Sequence, residues 1–513
     1  LDPDIPLEQS LNNITDPAKR AMLQKIVEDN SERRAINLTN VRKIKVGGGK
    51  AHLWDIENIA ISYSFAELTR SNTLIDAYKQ VSHRGGIMYA YAGTSKPIEP
   101  FKGIKSDYPL LRWIKEINIS PLPNSITVRA DMDRNFVKTQ LRNAELTTDG
   151  VAPMFEKYWM FTRQYNLGWN LTKSVIVNYA ANARAIIDEP QGDIDTQAKK
   201  DSVWRSIKNL GRTKNFDQNF GVVWRLPLNK SPLTDWMSAE YSHKFGYQYL
   251  ASSYDSRDSL DVPLGNLIKN TRERGINGKI DFVALYNRVR ALRLANQPRI
   301  ERKNVARSPG DDEDIIKPQP TFVRSVTRLM MAIRGINVRY TINESTTLPG
   351  FMPGSGILGM SAADGSAPGF GFVTGSQDYD VLTRAAANGW LSKSIVQNVP
   401  FVQTKTQNFT YGSSIEPFRD FRIQLEGKWS RTDNYQEFYR PTEMGGAYKH
   451  QSPVRSGNYQ MTFLSFLTAF DSNAPNESSG IFNRFKSYRD IIKKRLEESR
   501  VITGNESYDI NSQ

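Results

Sequence analysis

The stretch Phe216-Asp217-Gln218-Asn219-Phe220-Gly221-Val222-Val223-Trp224-Arg225-Leu226, followed after Pro227–Asp235 by Met237 to Tyr249, decides the reading of this chain. On the first arm Phe216, Phe220, Val222, Trp224 and Leu226 share one parity, and Asp217, Asn219, Gly221 and Arg225 the other. On the second arm Met237, Ala239, Tyr241, Phe245, Tyr247 and Tyr249 alternate with Ser238, Glu240, Ser242, Lys244 and Gln248. Strand side chains alternate between faces, so this is a hairpin with one apolar and one polar side. Each arm is about ten residues, the length of a tilted strand that crosses a bilayer. An apolar side against lipid and a polar side against a wet lumen is the construction of an outer-membrane β-barrel.

The pattern recurs. Ile59, Ile61, Tyr63 and Phe65 alternate with polar or small residues, as do Ile126, Val128, Ala130 and Met132, and Tyr165, Leu167 and Trp169. Ile336, Val338, Tyr340 and Ile342 do the same, and so do Phe421, Ile423, Leu425 and Trp429. With weaker strands near 84–92, 112–120, 174–184, 405–415 and 456–466, about a dozen strands are expected. Short connections at Pro121–Ser125, Leu171–Ser174, Pro227–Asp235 and Glu416–Asp420 carry turn residues. Long ones are expected over 135–160, 185–214, 250–333, 344–403 and 435–456. Short turns at one end and long loops at the other is the asymmetry of a membrane barrel. Trp169, Trp224, Trp236, Phe418 and Phe421 fall beside the short turns, as an interfacial aromatic girdle would.

The expected fold is therefore all-β: an antiparallel transmembrane outer-membrane β-barrel with long loops carrying short helices. Residues 1–50 read as a helical or irregular lead-in, 51–470 as barrel strands with large insertions at about 250–333 and 344–403, and 471–513 as a basic amphipathic helical segment. Helical patterns are present at Asp16–Asn30, Asp201–Lys208, Asp281–Ala295, Asp378–Ala387 and Ile481–Arg500. The lipid-facing candidates are Phe220, Val222, Trp224, Tyr241, Phe245, Ile423, Leu425 and Trp429. The lumen-facing candidates are Asp217, Asn219, Arg225, Glu240, Lys244, Arg422, Glu426 and Lys428.

Composition narrows the classes. The chain has 513 residues, 39% hydrophobic, with a formal net charge of +14 and no cysteine. Mean hydropathy is −0.53, which a barrel tolerates because half of each strand is polar. No apolar run is long enough for a transmembrane helix. Without cysteine there is neither a disulfide nor a thiolate metal site, and the four histidines (His52, His83, His243, His450) lack metal-ligand spacing. The basic residues are spread through strands and loops rather than blocked, so membrane lipids are expected as a partner and nucleic acid is not.

Chemical motifs fail on context. Gly354-Ser355-Gly356-Ile357-Leu358-Gly359 matches G-x-G-x-x-G in letters, but Pro349 and Pro353 precede it and no helix pattern follows. Gly47-Gly48-Gly49-Lys50 lacks the phosphate-loop spacing, and Asp311-Asp312-Glu313-Asp314 lacks the calcium-loop glycine. Asp188-Glu189 sits in a turn composition. No catalytic residue, cofactor or metal is expected, and the chain reads as a non-enzyme.

Several longer stretches carry a resemblance. They are Leu38–Lys43, Phe155–Ser174, Ile186–Pro190, Ile207–Lys214, Pro227–Lys230 with Pro232–Trp236, Thr346–Pro353, Ala385–Leu391 and Ile415–Phe421. In this order they resemble the SprA/Sov family of cell-surface proteins over roughly residues 35–435. The resemblance implies an outer-membrane translocon of the type IX secretion system in a Gram-negative bacterium, which in some members supports gliding motility. It implies a single-chain barrel of well over thirty strands, of which this chain would be an arc. It also implies three kinds of partner: secreted cargo proteins that pass folded, a porin-like barrel subunit that accepts cargo, and a plug protein. The chain lacks an initiator Met and a signal peptide and ends in the polar stretch Tyr508–Gln513, so it is expected to be a piece of a longer protein. Two alternatives stay open: a TonB-dependent-type nutrient transporter, whose plug and TonB box are not seen, and a soluble β-rich adhesin or carbohydrate-binding module, whose apolar faces would be buried.

Overall fold

The computed structural model describes all residues except 1–3, 45–46, 48–51, 95, 104–116, 144–150, 232, 254–256, 291, 294–320, 362–364, 379, 419–420, 464–479 and 504–513. Lys50, Asp311–Asp314 and most of the strand expected at 112–120 lie outside the described residues. The described residues are mostly β, with 52% in strands and 19% in helices. It divides into two units, Leu1–Tyr459 and Gln460–Gln513.

One antiparallel sheet of thirteen strands runs in strict chain order. Its strands are β1 (Asn30–Val41), β2 (Ile59–Ser71), β3 (Ile75–Ala92), β4 (Ser125–Leu141), β5 (Met154–Asn170), β6 (Val175–Ile186) and β7 (Arg212–Leu226). The series continues through β8 (Met237–Leu250), β9 (Asn266–Asp281), β10 (Ile333–Phe351), β11 (Phe401–Phe418), β12 (Phe421–Pro441) and β13 (Tyr448–Met461). The sheet is open, with β1 and β13 as its edges.

Several expectations need correction. The strands are longer than the ten residues a crossing needs: β8 has 14, β10 has 19 and β12 has 21. A strand, β1, occupies part of the lead-in expected to be helical or irregular, behind the helices Leu7–Asn12 and Pro17–Val27. The region 250–333 is not one loop, because β9 crosses within it; of the helical pattern expected from Asp281 the described residues form a five-residue helix, Phe282–Tyr286, with Arg290, Leu292 and Arg293 also helical. Its longer half, 282–332, therefore returns at the same end of the sheet as the short turns, as does the 93–124 connection. The predicted separation of short and long connections by end is incomplete. At the opposite end 435–456 shrinks to the six residues between β12 and β13.

The expected helices otherwise form. Gln197–Lys208 starts where the Thr196 hydroxyl accepts from the Lys199 N–H, and Pro17–Val27 where Asp16 accepts from Ala18 and Lys19; each side chain satisfies an orphan donor of the first turn. Val381–Ala387 begins one residue after Asp380. In the second unit, Gly480–Thr503 forms one helix.

Register fixes the faces. Ile61 pairs with Ile87, Ile87 with Ala130 and Ala130 with Arg163. The same row then runs through Ala183, Phe216, Tyr249 and Ile268 to Leu348. Every apolar series read from the sequence falls on this one face. The row also measures a slant. It leaves β2 at the middle of the Ile59–Phe65 series, yet it reaches β10 near Pro349, about ten residues past the middle of the Ile336–Ile342 series. Ten residues at ~3.3 Å over eight strand spacings of ~4.8 Å place the apolar belt about 40° off the hydrogen-bonded rows. Closed barrels tilt their strands by about 35–45°.

Candidate functional site

The site is the sheet itself and the two segments strapped to it. On the apolar face the eight lipid-facing candidates lie together. Phe220 stacks on Phe245 with ring centroids 4.9 Å apart, and Trp224 pairs with Tyr241 across the ladder. Ile423 opposes Ile415, Leu425 opposes Ser413, and Trp429 opposes Phe409; Trp429 also meets Tyr459 edge-on at 6.3 Å. Val222 opposes His243. The belt stays open: Ile36, Leu38, Ile61, Ile87, Trp224, Ile276, Tyr411 and Leu425 are exposed. Single exposed apolar residues are ordinary, but a band exposed at these positions on seven strands and half-buried on the strands between them needs a partner phase.

On the other face stand all eight lumen-facing candidates. Arg225 pairs with Glu240 at 3.2 Å, and Lys244 with Glu273 at 3.1 Å. Asp217 opposes Asn182 and Gln248, and Asn219 opposes Ala180 and Gly246. Glu426 opposes Gly412, Lys428 opposes Thr410, and Arg422 shares their parity. The sequence reading stressed these charges. The register shows something it missed, a row without any: Thr127, Asn166, Ala180, Asn219, Gly246, Thr271, Ser345, Thr404 and Asn434 follow one another across nine strands. A hollow of about 860 Å³ opens on this face, bordered by residues of β4 to β11 that include Asn178, Asn219, Thr271 and Asn343.

Phe216, Tyr247 and Tyr249, which the sequence groups with the rest of the apolar side, have a different fate. They lie beyond the belt, beneath the segment 352–400, in a core with Ile268, Leu348, Phe351, Phe372, Val373, Val381, Leu382, Leu391 and Phe401. The strands outrun the belt, so the same face serves two environments. Asn270, fully buried, is the polar pin of this strap. Its amide donates to the carbonyls of Phe372 (3.0 Å) and Ser376 (2.9 Å), and its oxygen accepts from the Thr346 N–H (3.1 Å) and from Gln377 (3.1 Å). The strap's two ends meet: Phe351 bridges Leu391, the Met352 N–H donates to the Trp390 carbonyl at 2.8 Å, and the Ser392 N–H to that of Gly350 at 2.7 Å. Ser394 donates to Asp258 at 2.7 Å, which with the N–H groups of Val262 and Leu260 holds that carboxyl below its ordinary range. The Gly354–Gly359 motif lies within the strap. A Cβ at Gly359 (φ +80°) would sit 2.6 Å from the Tyr247 ring, so the glycine serves close packing.

A smaller strap, 187–196, covers β3 to β5 beyond the belt. There cations and aromatics oppose each other in register: Lys138 with Phe155, Phe136 with Lys157, and Arg134 with Trp159. Arg134 lies 5.2 Å from the Trp159 ring centroid. Asp188 and Glu189, in the irregular segment that follows β6, supply the anchors. Glu189, 4% exposed, accepts from Arg134 at 2.5 Å, Asp193 accepts from Lys138 at 2.7 Å, and Asp188 accepts from Arg212 at 2.9 Å. Lys157 donates to the carbonyls of Pro190 and Gly192. None of these pairings was legible in the sequence, because partners lie up to 55 residues apart.

Among the described residues no helix is long and apolar enough to cross a membrane, which says nothing about strands. No family model matches the chain, and no curated protein matches it.

Proposed function

We propose that this chain is a segment of the wall of a wide outer-membrane β-barrel, with its apolar belt in lipid and its polar face lining an aqueous conduit. The observation that carries the reading is the uncovered belt, backed by a face of small uncharged polar residues. A soluble β-rich module would have to bury that belt, yet the straps cover the strand ends and reach only the belt's near margin, at Met132, Tyr165 and Phe245. The ~40° slant belongs to barrel walls. The end bearing the straps is the outer one, since the belt lies beside the short turns that face the periplasm in such barrels.

The edges bear on closure. β1 and β13 run in the same direction, so they cannot close an antiparallel ring on each other; an odd number of further strands must stand between them. Edges left bare in hydrocarbon leave backbone groups unpaired. Further strands of the same polypeptide would supply the seam, as in the SprA/Sov family that the motifs resemble. On that resemblance the conduit exports folded cargo proteins of the type IX secretion system, with a porin-like acceptor and a plug protein as partners. Such a wall works without chemistry. The neutral Asn, Ser, Thr and Gly rows offer water-like contacts, and the paired charges Arg225–Glu240 and Lys244–Glu273 present no excess of either sign to cargo.

The cysteine-free sequence allows a direct test. Single cysteines placed by Val222→Cys or Leu425→Cys in the membrane-inserted protein should resist a membrane-impermeant maleimide and react with a lipid-phase one. Asn219→Cys and Glu426→Cys should do the opposite. Equal aqueous labelling on both faces would rule the wall out.

A further inference from the structure

The outer margin of the belt carries a charge imbalance. Glu344 occupies the position on β10 next to Ile342 on the same face, and its carboxylate is only 7% exposed. Three cations surround it: Arg272 at 2.9 Å, Arg274 at 3.1 Å and Lys405 at 3.9 Å. The neighbouring Arg431 is matched by Asp433 at 3.0 Å. In register these residues form two adjacent rows, Phe245–Arg272–Glu344–Lys405–Asp433 and His243–Arg274–Ile342–Gln407–Arg431. Four cations thus face two carboxylates. The Nε of Arg274 is buried with no hydrogen-bond partner. Glu273, the next carboxylate along β9, points to the opposite face and pairs with Lys244. A hollow of about 730 Å³ adjoins the cluster, bordered by Lys405, Arg431 and Arg455 and by the carboxylates of Glu344, Asp433 and Glu437, so counting Arg455 and Glu437 leaves the surplus at two.

A surplus of about two positive charges beside an apolar belt is unfavourable unless an anion completes it, since low-dielectric surroundings strengthen the repulsion. Fully in water the surplus would be screened. At the edge of a membrane, the anions at this depth are headgroup phosphates. We infer that Arg272, Arg274, Lys405 and Arg431 form a site for the phosphorylated headgroup of an outer-leaflet glycolipid. The inference rests on the membrane reading above and adds to it a specific lipid contact. Guanidinium groups suit phosphate because their paired N–H donors match its oxygens. Glu344 offsets part of the charge of Arg272 and Arg274 and leaves the surplus described above.

The test uses the full-length protein in detergent, by native mass spectrometry with three probes: a diphosphorylated glucosamine lipid, its dephosphorylated form, and inorganic phosphate. The phosphorylated lipid should bind, the dephosphorylated form at least about tenfold more weakly, and free phosphate should not displace the lipid. Arg274→Gln and Lys405→Gln should each weaken binding about tenfold. Lys25→Gln, in the helix Pro17–Val27, should leave it unchanged. Glu344→Gln raises the positive surplus and should tighten binding, which keeps the idea exposed even if the other variants fail to assemble. Equal retention of the two lipids, or weaker binding by Glu344→Gln, overturns the inference. Flotation with vesicles separates the two claims. A protein that floats without headgroup preference defeats this site alone, and one that does not float defeats the membrane reading and the site with it.

Discussion

Arginine placed in the middle of the belt gives opposite results in lipid and in water. Ile87 on β3, Ile276 on β9 and Leu425 on β12 lie at mid-belt and are 55%, 52% and 40% exposed. Exposed side chains in water tolerate Ile→Arg or Leu→Arg within about 0.5 kcal/mol, because little packing is lost. The same change at a bilayer midplane costs about 2–4 kcal/mol. The three positions share no partner, so their effects add. The triple variant Ile87→Arg, Ile276→Arg, Leu425→Arg should lose about 6–12 kcal/mol in lipid against at most ~1.5 kcal/mol in water. The first figure rivals the whole stability of an ordinary fold. Folding into vesicles along a urea series, followed by tryptophan fluorescence and vesicle flotation, reads the difference. Asn219→Arg with Gln248→Arg on the polar face is the control and should fold as the parent does. A triple variant that inserts as well as the control would refute the reasoning, since no lipid could then contact the belt.

The straps make further outcomes testable. Asn270→Ala strands the Thr346 N–H and the Phe372 and Ser376 carbonyls, so the 352–400 strap should loosen by about 3 kcal/mol and become the first site of limited proteolysis. Gly359→Ala forces a methyl against Tyr247 at positive φ and should cost roughly 1–3 kcal/mol, seen as faster hydrogen exchange in 354–361 with β10 unchanged. Glu189→Gln removes the charge that holds Arg134 and should weaken protection of 187–196 by about 2 kcal/mol. The Asp258 carboxyl lies below its ordinary value through the Ser394 hydroxyl and the N–H groups of Val262 and Leu260. Its contribution is therefore present above the unfolded value of about 4 and lost as pH falls through the folded one. Exchange at 391–394 should rise in that acidic window, and Ser394→Ala should shift the onset upward.

The hairpin β7–β8 was legible because each arm keeps strict alternation and a turn composition separates them. β9 was not. On its belt face Ile268, Ile276 and Ile280 are interrupted by Asn270, Arg272 and Arg274, so period two disappears just where the strand leaves the belt for the strap. β1 fails for the same reason, with Glu32 and Arg34 on the face of Ile36 and Leu38. Hydrophobic alternation reports only the part of a strand whose two faces meet different phases. Beyond the belt the same face is covered by the chain's own straps, or at β1 left exposed with Glu32 and Arg34 paired, and polar or charged residues become correct there. The polar side was legible as a set of residues, but its neutral row was not, because it depends on register across nine strands. The strap contacts were beyond reach: Asn270 with Ser376, or Ser394 with Asp258, join positions more than a hundred residues apart.

The slant of the strands also sets a bore. Each strand inclined by about 40° occupies roughly 6 Å of perimeter. Thirteen such strands span about 80 Å, and bent into a ring they would make a backbone tube only ~26 Å across, narrowed further by side chains on the inside. A folded domain of ~100 residues, with a radius of gyration near 13 Å, would not fit. Passage of such a domain calls for a circumference nearer 140 Å, and hence more than about twenty strands. On the proposed reading, passage of a folded domain would therefore require further strands at the two open edges, since a ring of these thirteen strands alone would admit only threads.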